Sequence, residues 1–212
     1  MKNALLILIV SLIAQVAACA QLITAFSGGD DLSVGPGTAG FSFTVGSQPE
    51  TVQALGVWDA SGTGLSSAHT VGIWDTTPQH NLLASATVPA TGATDINNFW
   101  YVPTTPLTLQ ANTSYVIAAQ YADTDLDLAK GNATSVSMTG ATYGHALLST
   151  GIGFGFPDFD ASAADRGFFG PNASFTAVPE PTATAIVTAG LLAVIAALRR
   201  WKARSQPESA VA

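Results

Sequence analysis

Residues 40–46 read GFSFTVG, and their strict alternation of apolar and polar side chains decides the fold class. Phe41, Phe43 and Val45 fall on one face of an extended chain, whereas the intervening Ser and Thr fall on the other. A period of two residues is typical of a strand with one buried and one solvated face. The same pattern recurs in NLLASATVP, residues 81–89. These segments therefore predict antiparallel β structure.

Further candidate strands follow at short intervals, separated by connections rich in Gly, Ser, Thr, Asn, Asp and Pro. No convincing ten-residue helical stripe occurs between them. About nine or ten strands at this spacing predict an all-β fold, an antiparallel β-sandwich of the jelly-roll-like type, with an up-and-down barrel as the alternative. The candidate strands are 40–46, 52–58, 69–75, 81–89, 99–102, 106–110, 114–121, 135–138, 142–148 and 168–177.

Two of these strands end in a Trp-Asp pair, LGVWD at 55–59 and VGIWD at 71–75. If they paired as a hairpin around the 59–68 loop, Trp58 and Trp74 would lie near opposite ends of it, which argues against a duplicated binding cage. We therefore predict that both tryptophans pack on the sheets and that each Asp begins a turn.

The central part of the chain is strongly acidic. Residues 21–178 hold twelve acidic residues against Lys130 and Arg166, a formal charge of −10. Such a surface repels phosphate backbones, which excludes nucleic acid as a partner, and calcium is its natural counterion. The one cysteine, Cys19, precedes this part, so the sandwich has no disulfide, thiolate nucleophile or zinc-cysteine site.

Three acids alternate with other residues in YADTDLDLAKGN, namely Asp123, Asp125 and Asp127. In an extended loop their carboxylates would lie along one side, as a calcium loop requires. Counted from Asp123, the sixth position is Leu128, where an EF-hand loop needs Gly, and the twelfth is Thr134, where it needs Glu. The segment therefore predicts either a calcium site of another kind or a solvated acidic loop.

Catalytic signatures are not evident in the sequence. His69, His80 and His145 are too scattered for a metal site, and each is predicted to be a surface or loop residue. No nucleophile elbow, phosphate-binding loop or dinucleotide fingerprint occurs. We therefore predict a protein that is not an enzyme; a glycoside hydrolase or lyase using two of the acids is the less favoured alternative.

The stretch GIGFGFPDFD, residues 151–160, combines aromatic rings with carboxylates. Ring faces stack on the C–H surfaces of sugars, and acids accept hydrogen bonds from hydroxyl groups. The alternative is that these phenylalanines, with Phe168 and Phe169, plug one end of the sandwich. The candidate ligand-binding residues are Phe154, Phe156, Asp158, Phe159 and Asp160.

Residues 1–20 have the features of a secretory signal peptide with a helical apolar core. Lys2 precedes an apolar stretch, and Ala18 and Ala20 stand at the spacing that signal peptidase reads, which predicts cleavage after Ala20. The run VAAC also resembles a lipobox, which would make Cys19 a lipidation site.

The other end of the chain carries a second apolar segment. Residues 183–198 are uncharged and would span roughly 24 Å as a helix, slightly short for a single transmembrane span. Arg199 and Arg200 follow at once. The positive-inside rule then places residues 205–212 in the cytoplasm and the sandwich, residues 21–177, outside.

Residues 178–204, with VPEP, the apolar segment and RRWKAR in that order, closely resemble the PEP-CTERM sorting signal of Gram-negative bacteria. The resemblance implies that an exosortase-type membrane protease processes the precursor near the motif. It also implies transient residence in the inner membrane, and then delivery to the outer surface or to an exopolysaccharide or biofilm matrix. The implied recognition motif is Val178, Pro179, Glu180 and Pro181, and the implied stop is Arg199 and Arg200. The alternative is a plain C-terminal anchor.

Residues 38–175 also resemble an uncharacterised β-sandwich family that often carries this tail. That family has no established active site, so the resemblance implies no catalytic residues. Together these features predict an exported, non-enzymatic protein of the cell envelope or polysaccharide matrix with a structural or adhesive role. The alternative is a carbohydrate-binding module, with calcium as its candidate cofactor.

Overall fold

A computed structural model describes residues 19–123, 125–149, 151–161 and 167–177 of the chain. These residues form fifteen strands, and no helix among them is long and apolar enough to cross a membrane. The predicted transmembrane helix and all of the predicted signal peptide before Cys19 lie outside the described residues. The strands are β1 (Cys19–Gln21), β2 (Ile23–Ser27), β3 (Asp30–Leu32), β4 (Gly37–Val45), β5 (Glu50–Trp58), β6 (His69–Asp75), β7 (Leu82–Val88), β8 (Thr94–Ile96), β9 (Phe99–Leu109), β10 (Ser114–Tyr121), β11 (Ala129–Gly131), β12 (Ser135–Met138), β13 (Ala141–Ser149), β14 (Phe159–Asp160) and β15 (Pro171–Ala177).

Two antiparallel sheets carry the fold, which confirms the all-β prediction. One has the strand order β1-β15-β5-β9-β8, and the other has the order β14-β13-β4-β10-β6-β7. Two short ladders, β11-β3 and β12-β2, accompany them. The described strands thus form separate sheets rather than one closed up-and-down barrel.

Nested strand pairs connect the two sheets. β4 pairs with β10, β5 with β9 and β6 with β7. In the sequence, the strands of each pair therefore lie between the two strands of the previous pair. β10 also pairs with β6, which places the outermost and innermost pairs in the same sheet. β5 and β6 lie in different sheets, so the hairpin considered for the two Trp-Asp segments does not form.

The core lies between the two sheets and follows the alternation of the strands. Phe41 and Phe43 from β4 and Ile117 from β10 are fully buried, and so are Leu55 from β5 and Phe175 from β15. All five belong to one cluster. Burying a side chain of this size contributes about 1.5–3 kcal/mol, so the cluster provides a large share of the stability of a domain without disulfides.

The predicted strands 99–102 and 106–110 are one strand, β9. Its register against β5 shifts, because Ala54 faces Pro103 whereas Val52 faces Leu107. Proline cannot donate an amide hydrogen to the ladder, and a bulge accommodates it without ending the strand.

The Trp-Asp pairs behave as predicted for packing and turns. Asp59 accepts hydrogen bonds from the amides of Ser61 (2.8 Å) and Gly64 (2.6 Å), and Asp75 accepts them from Thr77 and Asn81. Each carboxylate therefore organises the loop that follows its strand. The tryptophans pack on different faces, Trp58 against Phe26 and Phe99, and Trp74 against Phe154.

The described domain begins and ends in neighbouring strands. Cys19 of β1 lies opposite Thr176 of β15, and Ala177 lies opposite Glu50 at the start of β5. We call this end of the sandwich the terminal end. The opposite end, where the loops 59–68 and 122–128 lie, is the loop end. Cleavage after Ala20 would leave one residue of β1, whereas cleavage before Cys19 would leave that strand whole.

Substituting Gly40 tests the close approach of β4 to β10. A Cβ at this position would overlap the carbonyl oxygen of Ile117 and lie 2.6 Å from the Cα of Ala118. We expect Gly40→Ala to lower the free energy of unfolding by about 3 kcal/mol, because backbone on the neighbouring strand must move. Denaturant titration of the purified protein measures the change.

Gly155→Ala is the matched control, because no atom lies within 4 Å of a Cβ added there. We expect a change of less than about 0.5 kcal/mol for this variant. Equal effects of the two substitutions would contradict the packing described for β4.

Candidate functional site

A cluster of titratable side chains forms at the loop end. His69 begins β6, and Asp125 and Asp127 follow the end of β10. β6 and β10 are antiparallel neighbours, so the start of one lies beside the end of the other. The pairing therefore brings together residues that are 58 positions apart in the sequence.

Both ring nitrogens of His69 face oxygen atoms. Nε2 lies 2.8 Å from Oδ2 of Asp127, and Nδ1 lies 2.9 Å from the carbonyl oxygen of Gln120. Oδ2 of Asp125 also lies near Nδ1, at 3.5 Å. The His69 side chain is 0% exposed, and those of Asp125 and Asp127 are 4% and 6% exposed.

This arrangement favours a protonated imidazolium. A neutral ring carries one N–H, so one nitrogen lone pair would face an oxygen lone pair. Burial lowers the pKa of His69, but the hydrogen bonds to Asp127 and Gln120, with the nearby charge of Asp125, outweigh it and raise the pKa above its ordinary 6.5. Burial raises the pKa of Asp127, but hydrogen bonds from His69, Ser66 and Ser67 outweigh it and lower the pKa to about 2.

The two carboxylates also fasten the loop that precedes β6. Asp127 accepts hydrogen bonds from the amide of Ser66 (2.9 Å), the hydroxyl of Ser66 (2.9 Å) and the amide of Ser67 (3.2 Å). Asp125 accepts a hydrogen bond from the Ser67 hydroxyl at 3.1 Å, and it lies 3.2 Å from the Ser66 hydroxyl, whose single proton it shares with Asp127. The cluster therefore ties the loop 59–68 to the segment 122–128.

A metal ion is the other occupant that these residues suggest. His69, Asp125 and Asp127 can each offer one ligand atom, and these atoms lie within 4.8 Å of one another. However, His is not a ligand that calcium prefers, and the carboxylate oxygens are already directed at N–H and O–H donors. Asp123, the remaining residue of the predicted calcium set, is exposed and is not one of the three. The donor set fits a buried imidazolium better than calcium.

The prediction that His69 is a surface or loop residue is wrong. The sequence shows no local signal for its burial, because its partners come from another strand and another loop. The other two histidines lie elsewhere. His80 is exposed and stacks on Phe156 at 3.8 Å, and half-buried His145 contacts the hydroxyl of Ser42 through Nδ1 at 2.8 Å.

The aromatic residues of the 151–160 stretch separate into two groups. Phe154 and Phe156 contact Trp74, with ring centroids 5.1 and 6.3 Å away, and pack on the outer face of the six-stranded sheet. They do not plug the end of the sandwich. Gly72 leaves room for this contact, because a Cβ there would lie 2.6 Å from Phe154. Phe168 and Phe169, by contrast, lie in the main core.

Asp158 and Phe159 lie outside both aromatic clusters. They line an open cleft of about 550 Å³ together with Leu148, Ser149 and Gly151. The Phe159 side chain is 63% exposed. Asp160, the fifth candidate ligand residue, is exposed and pairs with Leu147 across β14 and β13.

The predicted targeting residues lie mostly beyond the described chain. Cys19 is exposed and begins β1, and Ala20 pairs with Phe175. Ala18 and the whole sorting motif, Val178, Pro179, Glu180, Pro181, Arg199 and Arg200, lie outside the described residues.

No family model matches this chain. No curated protein matches it either. The resemblances to the sorting signal and to the β-sandwich family therefore stay predictions from the sequence, and the geometry of the described residues carries the structural part of the argument.

The protonated cluster predicts a stability optimum in mildly acidic solution. The pKa of His69 is raised, so its contribution is complete below about pH 6.5 and is lost as the pH rises through the folded-state pKa. The pKa of Asp127 is lowered, so its contribution is present above about pH 4 and is lost as the pH falls toward 2. Thermal unfolding measured across this pH range tests both the loss of stability at high pH and the loss at low pH.

The variant His69→Gln tests the assignment of the loss of stability at high pH to His69. We expect it to lower the free energy of unfolding by about 3 kcal/mol at pH 6, because it leaves two carboxylates without their cation. We also expect a smaller loss of stability between pH 6 and 9 than in the wild type. His145→Gln, which leaves His69 intact, should keep the wild-type slope. A wild-type slope in His69→Gln would contradict the assignment.

Calcium should have little effect on this cluster. The Asp125 and Asp127 oxygens already accept hydrogen bonds from protein donors, so we expect the thermal midpoint in millimolar calcium to match that in excess chelator to within about 1 °C. Scanning calorimetry makes the comparison. A rise of several degrees that disappears in Asp123→Asn would instead support the calcium site predicted from the sequence.

Proposed function

We propose that this protein is an exported, non-enzymatic component of the cell envelope or exopolysaccharide matrix, sorted by a C-terminal PEP-CTERM signal and serving a structural or adhesive role. The observation that supports it is the pairing of β1 with β15 at the terminal end. The predicted signal peptide ends at Ala20 within β1, and the predicted sorting signal begins directly after Ala177 of β15, so in the sequence both segments adjoin this end. Among the described residues, β1 and β15 meet at the terminal end and the loops 59–68 and 122–128 lie at the other, so the loop end is the surface that we assign to contacts outside the cell.

The fold suits a stable module in such a location. The nested pairs β4-β10, β5-β9 and β6-β7 support the jelly-roll-like sandwich expected from the sequence. A sandwich of this size buries a continuous core without disulfides, so its folding does not depend on the redox state of the compartment.

The proposed route uses the two prolines of the motif. Proline fixes φ and lacks an amide hydrogen, so from the sequence we expect Pro179 and Pro181 to favour an extended segment around Glu180. An extended segment just outside the bilayer is accessible to an exosortase-type protease in the inner membrane. The apolar residues 183–198 hold the precursor there transiently, and Arg199 and Arg200 stop its transfer.

Replacing both prolines tests the sorting step. We expect Pro179→Ala with Pro181→Ala to leave full-length precursor in the inner-membrane fraction of the native host, because the recognition segment is lost. Intact mass spectrometry and cell fractionation measure the product. Pro207→Ala, a Pro-Glu step outside the motif, is the matched control and should be processed normally. Unaltered processing of the double variant would exclude this sorting signal.

A second candidate function is carbohydrate binding, which the open cleft beside Asp158 and Phe159 supports. Calcium dependence remains part of that candidate and is tested by adding chelator to the binding assay. Asp125 and Asp127 give little support to a glycoside hydrolase or lyase, because both side chains are buried with their oxygens directed at protein donors. General acid or base chemistry needs a carboxyl group that reaches the substrate.

A further inference from the structure

We propose that the cleft between β13, β14 and the loop before β14 binds a neutral, hydroxyl-rich glycan chain, with Phe159 as the stacking platform. We call this cleft the edge cleft; its lining residues are Leu148, Ser149, Gly151, Asp158 and Phe159. The inference rests on the proposed location of the protein in a polysaccharide matrix, and it adds a site and a ligand class to that proposal.

Phe159 is held in place but directed outward. Its backbone pairs with Leu148 of β13, at the edge of the six-stranded sheet. Earlier in the same stretch, Phe154 and Phe156 anchor the loop on Trp74. A ring that is 63% exposed on an anchored strand loses little conformational freedom when a sugar stacks on it.

A second large apolar side chain of the same stretch is exposed. Ile152, in the loop that leads to β14, is 97% exposed. Large exposed apolar side chains accompanied by polar groups are typical of binding surfaces. The C–H faces of a pyranose ring suit such a surface because they are weakly apolar and flat.

The edge cleft also offers hydrogen-bond acceptors. Asp158 is exposed and its carboxylate can accept hydrogen bonds from sugar hydroxyls, and Ser149 is another polar residue of the lining. An aromatic platform combined with a carboxylate recognises a ligand that has both C–H faces and O–H donors.

The charge around the cleft selects against acidic glycans. The Asp158 carboxylate is in the lining. Lys130, the one Lys or Arg among the described residues, forms an ion pair with Asp31 at 2.6 Å. Among the described lining residues, a uronate or sulfated chain would meet the Asp158 carboxylate and no Lys or Arg side chain, so a neutral chain is the ligand that this charge favours.

The size and shape of the edge cleft agree with this ligand. Its volume of about 550 Å³ is within the range of about 300–1,000 Å³ that is typical of small-molecule sites. Because it opens to solvent, a long chain can cross it with a few sugar units inside. This mode of binding suits a protein embedded in a polymer rather than one that captures a free monosaccharide.

Affinity electrophoresis of the mature protein tests the inference. The probes are hydroxyethyl cellulose, laminarin and glucomannan as neutral polymers, and polygalacturonate as the anionic one, each cast in a native gel. We expect retardation in at least one neutral polymer and none in polygalacturonate. Phe159→Ala should weaken the retardation about tenfold or more, and Asp158→Asn should weaken it less.

Ile96→Ala is the matched control, because Ile96 is an exposed apolar residue on β8 of the other sheet. We expect it to bind like the wild type, and we expect all three variants to melt like the wild type because the altered side chains are exposed. Absence of retardation in every neutral polymer would overturn the inference. So would equal binding by Phe159→Ala, or retardation in polygalacturonate alone.

The glycan-binding experiment and the test of the sorting proposal can fail independently of each other. If no glycan binds but the double proline variant still accumulates as precursor, the sorting proposal stands and the edge cleft does not. If glycan binding depends on Phe159 but processing ignores Pro179 and Pro181, the cleft stands and another anchor must hold the protein.

Discussion

The pairing of β10 with two partners is the contact on which the rest of this fold depends. β10 lies between β4 and β6, and its buried side chains meet the core residues of both neighbours. Ile117, for example, faces Phe41 on one side and Ile73 on the other. This strand joins the outermost nested pair to the innermost, so the six-stranded sheet cannot form its core face without it.

The same pairing creates the polar cluster at the loop end. Once the end of β10 lies beside the start of β6, His69 enters a buried position next to the segment that follows β10. A charge in that position requires compensation, because an isolated buried ion is strongly unfavourable. Asp125 and Asp127 supply it, and the serines of the preceding loop satisfy their remaining oxygens. The cluster therefore holds the loop 59–68 against the segment 122–128.

The outer face of the six-stranded sheet shows how one short stretch serves two purposes. Phe154 and Phe156 cover Trp74 and bury apolar surface of this face that would otherwise be exposed to water. A few residues later the chain joins the edge of the sheet as β14, and Phe159 stays exposed there. The packing residues hold the loop, and the exposed ring is available for a ligand.

The sequence by itself determined the fold class and most strand positions, because alternation with a period of two depends on local geometry. It also determined the acidic surface and the turn role of Asp59, which follow from composition and from contacts within a few residues. Only the tertiary structure decided that β5 and β6 occupy different sheets, that His69 is buried against two acids, and that Phe159 but not Phe154 faces solvent. These features depend on contacts between residues far apart in the chain, and a linear pattern holds no record of which distant strands become neighbours.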